Sequence, residues 1–363
     1  MKSNLPLSLQ MAKSVEKRYR PGMMQWHYEH GLVLYASLRA ADYHGDDSIY
    51  PWVYSMYDRL IGEDGTIATY REGEFNLDQI NAGRGLFPLE DRSGEKRFAL
   101  AQDALKSQLI KHPRCLNGVY WHKEIYPWQI WLDGLYMEGP FNVEYAARHN
   151  DMTAINDVVN QLILTYETLI DKKTGMLYHA YDESRGQRWS DINTGLSPHF
   201  WSRSIGWYMM AIEDVLDFVP EGHAGRARLI EIIQNLCKAM LPFQDESGMW
   251  YQVTDQGTRE GNYLETSGTS MFAYCFYKGI RLGYIDPSYK AYADKAMEGI
   301  KKLYLTEEED GELHLGGICS VAGLGGNPYR DGSFKYYIQE KIATDDFKGV
   351  GPFILAQLES ERA

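Results

Sequence analysis

Long apolar runs are missing from this 363-residue chain, and no stretch approaches the ~20 residues that a bilayer-spanning helix needs. The start, MKSNLPLSLQMAKSVEKRYRPG, has no apolar block leading to a small-residue cleavage site, so neither an export signal nor a membrane partner is expected. Cysteine is scarce: Cys115, Cys237, Cys275 and Cys319 are far apart and form no CxxC pair. That spacing argues against a zinc site and against a disulfide-stapled secreted scaffold, which makes the reducing cytoplasm the expected compartment. Positive charge is also short, with 37 Lys and Arg against 50 Asp and Glu and a formal net charge of -13. Nucleic acid is therefore not an expected partner, and any anionic substrate would have to be held by a few well-placed cations against the overall field. There is no GxGxxG after a strand, no GxxxxGK[ST], no HExxH and no GxSxG, so dinucleotide, P-loop, zinc-peptidase and serine-hydrolase chemistries have no motif behind them. The glycine-rich GLGGNP at 323–328 lacks both the strand-then-helix context and the Lys, and reads as a loop.

Aromatic residues, by contrast, are abundant, at 13% with 9 Trp and 27 Tyr. Such flat amphipathic rings suit helix packing and sugar stacking alike. A helical period recurs in Ile49, Trp52, Val53, Met56 and Leu60, in Phe98, Ala101, Leu105 and Leu109, and in Ile155, Val158, Val159, Leu162, Tyr166 and Leu169. It returns in Leu229, Ile232, Ile233, Leu236 and Met240 and across 287–304; with residues 8–20 these make six amphipathic helices. Between them lie six segments of another kind, each a loop rich in Trp, Gly and acids running into a mostly uncharged helix. They open at Trp26, Asn76, Trp131, Trp201, Glu265 and Asp345, at spacings of 50, 55, 70, 64 and 80 residues. Each carries an early glycine (Gly31, Gly83, Gly134, Gly206, Gly268, Gly349), as close backbone approach around an axis requires.

Alternation at this period is a repeat architecture, and six pairs suggest closure. The expected fold is an all-α (α/α)6 toroid, a single domain over 1–363, with the second helix of each pair lining the inside and the aromatic loops gathered at one mouth. An open stack of helix pairs is the alternative, but it gives no reason for Trp and acid at the start of the inner helices. Stretches 65–73 and 247–255 are expected to form hairpins on the rim.

The densest chemical cluster is Trp121, His122, Lys123, Glu124, Tyr126, Trp128, Trp131, Asp133, Tyr136, Met137 and Glu138. Asp133 opens an inner helix, where an Asp can simply cap for about 0.5–2 kcal/mol, although a cap needs neither Trp131 nor Lys123 beside it. Asp78, in FNLDQINAGRGLF, holds an equivalent repeat position, and two axial carboxylates would suit a paired acid and base in glycoside hydrolysis; a structural role stands equally open for it. His179 lies in the polar loop GMLYHAYDESRG, where a lone His is more often a structural hydrogen-bonder than a functional group. Trp201, Arg203 and Trp207 set a guanidinium between two indoles, an arrangement suited either to planar carboxylate recognition or to structural stacking.

The runs WHKEIYPWQIWLDGLYMEGPF, NLDQINAGRGLF, WSRSIGWYMMAIEDVL and IATDDFKGVGPFILA resemble the unsaturated rhamnogalacturonyl hydrolases of glycoside hydrolase family 105 over nearly the whole chain. Within them, the WLDGLYM and W-x-R-x-x-G-W-Y runs also resemble the relatives of that family, the unsaturated glucuronyl hydrolases of family 88. The resemblance implies an (α/α)6 barrel with no metal or cofactor, acting as a monomer or weak homo-oligomer on a small acidic unsaturated oligosaccharide whose nonreducing galacturonyl residue carries a C4=C5 double bond. It implies that Asp133 is the general acid, protonated at neutral pH through burial among Trp131, Trp128 and Tyr136, with Asp78 as the second pocket acid. It further implies that His122, Lys123, Trp131, His179, Trp201, Arg203 and Trp207 contact substrate, with Lys123 or Arg203 on the uronate carboxylate. Competing readings are a glucuronyl hydrolase acting on glycosaminoglycan fragments, a toroidal polysaccharide lyase, and a non-catalytic sugar-binding protein.

Overall fold

A computed structural model of the chain describes residues 5–362. In chain order its helices are α1 (Leu7–Arg18), α2 (Tyr28–His44), α3 (Ile49–Asp58), α4 (Leu86–Ser93), α5 (Lys96–Lys111), α6 (Leu132–Arg148) and α7 (Met152–Leu169). They continue with α8 (Ser202–Leu216), α9 (Arg226–Met240), α10 (Thr266–Arg281), α11 (Lys290–Tyr304), α12 (Phe334–Gln339) and α13 (Phe347–Arg362). The odd-numbered helices α1 to α11 form the outer layer, each burying one stripe; α7, for example, buries Ile155, Val158, Val159, Leu162, Tyr166 and Leu169. The inner layer is buried almost all round, with every residue of α8 covered. A helix enclosed on all sides cannot carry the polar stripe of a surface helix, which is why the inner segments read as mostly uncharged.

The ring closes. Going round it, α2 packs on the turn at 81–85, that turn on α6, α6 on α8, α8 on α10, α10 on α13, and α13 back on α2. Glycine makes two of these seams possible. A Cβ at Gly31 would lie 2.4 Å from the Ala82 Cα, and one at Gly268 2.8 Å from the Ser202 Cβ. The helix ends follow ordinary chemistry: Gly45 closes α2 in the left-handed region at φ 68°, and the Asp151 carboxylate accepts from the Ala154 amide at 3.0 Å to open α7.

Three local features depart from expectation. The second inner segment is not one helix but two 3-10 turns (Leu77–Gln79 and Asn81–Gly85) followed by the short α4. Tyr57 holds the tighter path: its hydroxyl donates to the Ala82 carbonyl at 2.8 Å, and a Cβ at Gly85 would lie 2.2 Å from that hydroxyl. The expected hairpins at 65–73 and 247–255 do not form. The first contributes a single bridge, Ile61 to Ile67. The second pairs outward, Tyr251 with Leu264 and Val253 with Trp201, because its backbone groups are used to stitch the start of α8 to the start of α10. The true ladders are β1 (Gln129–Trp131) on β2 (Ala180–Asp182), the hairpin of β3 (Leu305–Glu307) with β4 (Leu313–Leu315), and β5 (Ile318–Cys319) on β6 (Ile342–Ala343), all antiparallel. Helix α12 is the third departure; it fills part of the longest inter-repeat spacing and packs Phe334 and Tyr337 on Trp201 and Val253. All four cysteines are free and buried, and among the described residues no helix is long and apolar enough to cross a membrane.

Candidate active site

The N-terminal turns of the inner helices converge at one mouth of the ring, and the third residue of five of the six inner segments marks the spot: Tyr28, Asp78, Asp133, Arg203 and Ser267, with Phe347 in the sixth. Asp133 stands in the first turn of α6, yet makes no capping hydrogen bond; the N-cap position is Trp131. Its carboxylate turns instead to His179, whose Nε2 lies 3.1 Å from Oδ2. The β1–β2 ladder brings the two together by pairing Trp131 with Ala180, and the Leu132 amide donates to the His179 carbonyl at 3.1 Å. The Asp133 side chain is 14% exposed while His179 is fully buried, so the carboxyl is reached from the mouth and the imidazole backs it. Of the three rings expected to bury Asp133, Trp128 is 42% exposed and packs on Trp121, while the Tyr136 hydroxyl accepts from Arg84 at 2.9 Å.

Asp78 sits in the first 3-10 turn, whose N-cap Asn76 accepts from the Asp78 amide. Leu77 donates its amide to the His122 carbonyl and Asn76 bridges to Lys123, so the 122–124 segment runs alongside the turn. The Lys123 ammonium bonds Asp78 Oδ2 directly, with His122 Nε2 3.6 Å from Oδ1. Burial acts to raise the Asp78 carboxyl, but Lys123, His122 and His27 outweigh it and hold the group at about 2. Burial likewise pulls His122 down to about 4, against the opposing pull of Asp78. His122 is therefore a neutral ring at neutral pH; it stacks on Trp131 at 4.7 Å, and its Nδ1 has no hydrogen-bond partner among the described residues.

Several of the expected substrate contacts have partners within the chain. Trp131 lies nearly parallel to both His122 and Tyr126 and is only 5% exposed. Trp201 is buried, its indole donating to Gln252 at 3.0 Å and lying 4.8 Å from the His179 ring. Arg203, for which carboxylate recognition and structural stacking both stood open, lies by the Trp201 ring at 5.3 Å; its Nε donates to Ser267 Oγ at 2.7 Å, Nη2 donates to the Cys319 carbonyl, and Glu265 lies 3.6 Å away. Trp207 is fully buried and stacks on Tyr136 at 4.8 Å. Tyr136 in turn bonds Arg84, and Arg84 pairs with Asp214 at 2.9 Å. Rings and charges thus follow one another from Trp207 through Tyr136 and Arg84 to Asp214.

Sequence reasoning missed Tyr28, Glu265, Ser267 and Tyr337. The half-buried Tyr28 has its hydroxyl pushed well above the ordinary phenol range by burial and by the nearby carboxylates Asp78, Glu29 and Asp133. The shared third-position register would have found Tyr28 and Ser267. Nothing in the local pattern around α12 points to Tyr337, whose hydroxyl lies 2.7 Å from His179 Nδ1. The outcome is a pocket with two unlike carboxyls, one locked as an anion by a lysine and one exposed to the mouth on a buried histidine.

Known proteins share this arrangement's sequence and fold. The model for Glycosyl Hydrolase Family 88 matches residues 8–363. A glycoside hydrolase of family 105 from C. acetobutylicum ATCC 824 is 43% identical, covers 99% of this chain and 100% of its own, and superposes with a TM-score of 0.96. A protein of Agrobacterium fabrum (strain C58 / ATCC 33970) is 38% identical over 227 residues, 61% of this chain and 97% of the relative. The unsaturated rhamnogalacturonyl hydrolase YesR of Bacillus subtilis (strain 168) is 22% identical over 294 residues, 79% of this chain and 78% of that one. With a family model spanning almost its full length and a family 105 structure alike from end to end, the chain belongs to the family 88 and 105 glycoside hydrolases.

Proposed function

We propose that this hydrolase removes a C4=C5-unsaturated galacturonyl residue from the nonreducing end of rhamnogalacturonan fragments, with Asp133 as the proton-transferring group. The observation that carries this reading is the Asp133 carboxyl, open to the mouth and held through Oδ2 by His179 at 3.1 Å, beside an Asp78 that Lys123 keeps ionised. Unlike environments assign unlike tasks. Asp133 donates its proton to C4 of the vinyl ether, leaving an oxocarbenium-like centre at C5. A water adds at C5 and returns a proton to the same carboxylate, so Asp133 ends as it began. The hemiketal then opens and releases the aglycone. Asp78 orients the water or a sugar hydroxyl. Lys123, with a side chain 19% exposed, is better placed than the enclosed Arg203 to reach the uronate carboxylate. The rhamnose-linked substrate is favoured by the activity named for the B. subtilis relative. The four free, buried cysteines suit a cytoplasmic site of action.

The test mixes the protein with lyase-digested rhamnogalacturonan I and follows the ultraviolet absorbance of the conjugated double bond, with lyase-digested glycosaminoglycans in parallel. Absorbance should fall with the pectin fragments, and Asp133→Asn should lose about 10²–10⁴-fold in kcat. Faster loss with the glycosaminoglycan digests would move the substrate assignment, and rising absorbance on intact polysaccharide would make the protein a lyase.

A further inference from the structure

Helix α12 carries the hydroxyl that bonds the second ring nitrogen of His179. The Tyr337 hydroxyl lies 2.7 Å from Nδ1, while Nε2 of the same ring lies 3.1 Å from Asp133 Oδ2. Three side chains thus stand in a line from the interior to the mouth. Both inner members are fully buried, and Tyr337 is fixed from several sides: its amide donates to the Ser333 carbonyl, its carbonyl accepts from Gln252 Nε2 at 3.2 Å, and its ring lies against Trp201. The hydroxyl has no hydrogen-bond partner among the described residues except His179.

We propose that Tyr337 is a positioning residue that sets the His179 tautomer and, through it, decides which Asp133 oxygen carries the transferable proton. A phenol has one hydrogen. With Nδ1 as its sole partner, the buried O–H is satisfied only by donating to that nitrogen; the reverse arrangement would leave it without an acceptor. Burial pushes the Tyr337 phenol well above its ordinary range, so the hydrogen is retained. Nδ1 is then the lone-pair nitrogen, and the ring proton resides on Nε2. Nε2–H donates to Asp133 Oδ2, which reserves that oxygen as an acceptor and leaves Oδ1 to bear the acidic hydrogen. When that hydrogen leaves, the Nε2–H bond is already in place on the new carboxylate. This is the preorganised donor that favours charge as it develops. Balance is kept, since only the Oδ1 proton moves and the added water restores it.

The inference rests on the proposed activity for its kinetic arm alone. In the uniformly ¹⁵N-labelled protein, imidazole nitrogen–carbon-proton correlations report the tautomer, with His179→Gln identifying the resonance. Wild type should show His179 protonated on Nε2 and bare on Nδ1; a ring protonated on Nδ1 overturns the proposal whether or not any substrate turns over. Tyr337→Phe, which keeps the ring, should shift that resonance towards the other tautomer. It should also lower kcat roughly tenfold or more while KM stays within about twofold. An unchanged kcat in an active enzyme would likewise overturn it. Failure of wild type to consume any unsaturated oligosaccharide would sink the functional reading but leave the spectrum to decide the tautomer.

Discussion

Glu265 and Arg203 face each other 3.6 Å apart at the seam between α8 and α10, with side chains 0% and 1% exposed. The same carboxylate accepts from the Gly268 amide at 2.7 Å, from Ser267 Oγ, and from the Cys319 amide at 3.0 Å. It therefore caps α10 and ties the β5 segment to the ring at once. A guanidinium so enclosed serves first to neutralise a buried acid. Taking one partner from such a pair leaves an uncompensated charge in a low-dielectric site, which costs more than the pair contributes.

Arg203→Met should accordingly destabilise the fold by about 3–5 kcal/mol, read as a lowered urea midpoint at unchanged slope. Adding Glu265→Gln should restore part of the loss, because the orphaned charge goes with it. A wild-type midpoint combined with a raised KM would instead make Arg203 the clamp for a substrate carboxylate.

Lys123 carries the opposite expectation. Its ammonium bonds Asp78 at the edge of the pocket, where partial exposure softens any effect on stability. Lys123→Met should raise KM for an acidic unsaturated disaccharide roughly tenfold, the worth of about one charge-assisted hydrogen bond. Its melting temperature should fall too, since Asp78 loses the main cation that offsets its burial, but by less than for Arg203→Met because the pair is partly exposed. Equal KM values for the two proteins would remove Lys123 from that contact.

Much of this architecture was legible because it follows from periodicity. The stripes of α3, α5, α7 and α9 fall where the apolar spacing put them, and the early glycines mark the helix seams. Asp78 and Asp133 meet at one mouth because the repeat register puts them there, while His179 is brought in by the β1–β2 ladder and His122 and Lys123 by the segment that runs along the 77–79 turn. What pattern does not carry is occupancy. No local signal states that Arg203 is already paired, since Glu265 lies in another segment, or that Trp207 stacks on Tyr136 rather than facing the mouth. The turn at 81–85 also escaped, because Tyr57 imposes it from outside. Helix α12 has only six residues, too few to show a period.

Two buried groups give stability opposite dependences on pH. Burial pushes Glu213 up to about 8 from 4.5, with Lys278 opposing and Asp217 adding to the rise; neither carboxyl oxygen has a hydrogen-bond partner among the described residues. A raised folded-state value means that the bound proton favours the fold: the contribution is full below about pH 4.5 and is lost as pH rises through about 8. Glu213→Gln should therefore gain on wild type across that window, by on the order of a few kcal/mol. His122, lowered to about 4 from 6.5, works the other way, its contribution present above pH 6.5 and lost as pH falls towards 4. His122→Gln should gain on wild type only in acid. Chemical denaturation at a series of pH values checks both, and parallel curves for Glu213→Gln and wild type from pH 4.5 to 8 would show that Glu213 is not held neutral.

Gly268 tests whether the glycine seams set the site as well as the packing. A Cβ there would lie 2.8 Å from the Ser202 Cβ, 3.0 Å from the Ser202 carbonyl carbon and 3.2 Å from the Arg203 amide. The last two are backbone atoms of the first turn of α8, so relief requires α8 and α10 to part. Gly268→Ala should cost about 1–3 kcal/mol by overpacking, and since Arg203 and Ser267 are bonded across that seam, kcat/KM should fall with it. Gly45→Ala is the control: at φ 68° with nothing among the described residues within 4 Å of the added carbon, it meets only the left-handed backbone penalty, roughly 1–2 kcal/mol. It lies at the far end of α2, so its loss of stability should come with unchanged turnover. Equal turnover in both variants would mean that the mouth tolerates movement between α8 and α10, and that the close approach at Gly268 serves packing alone.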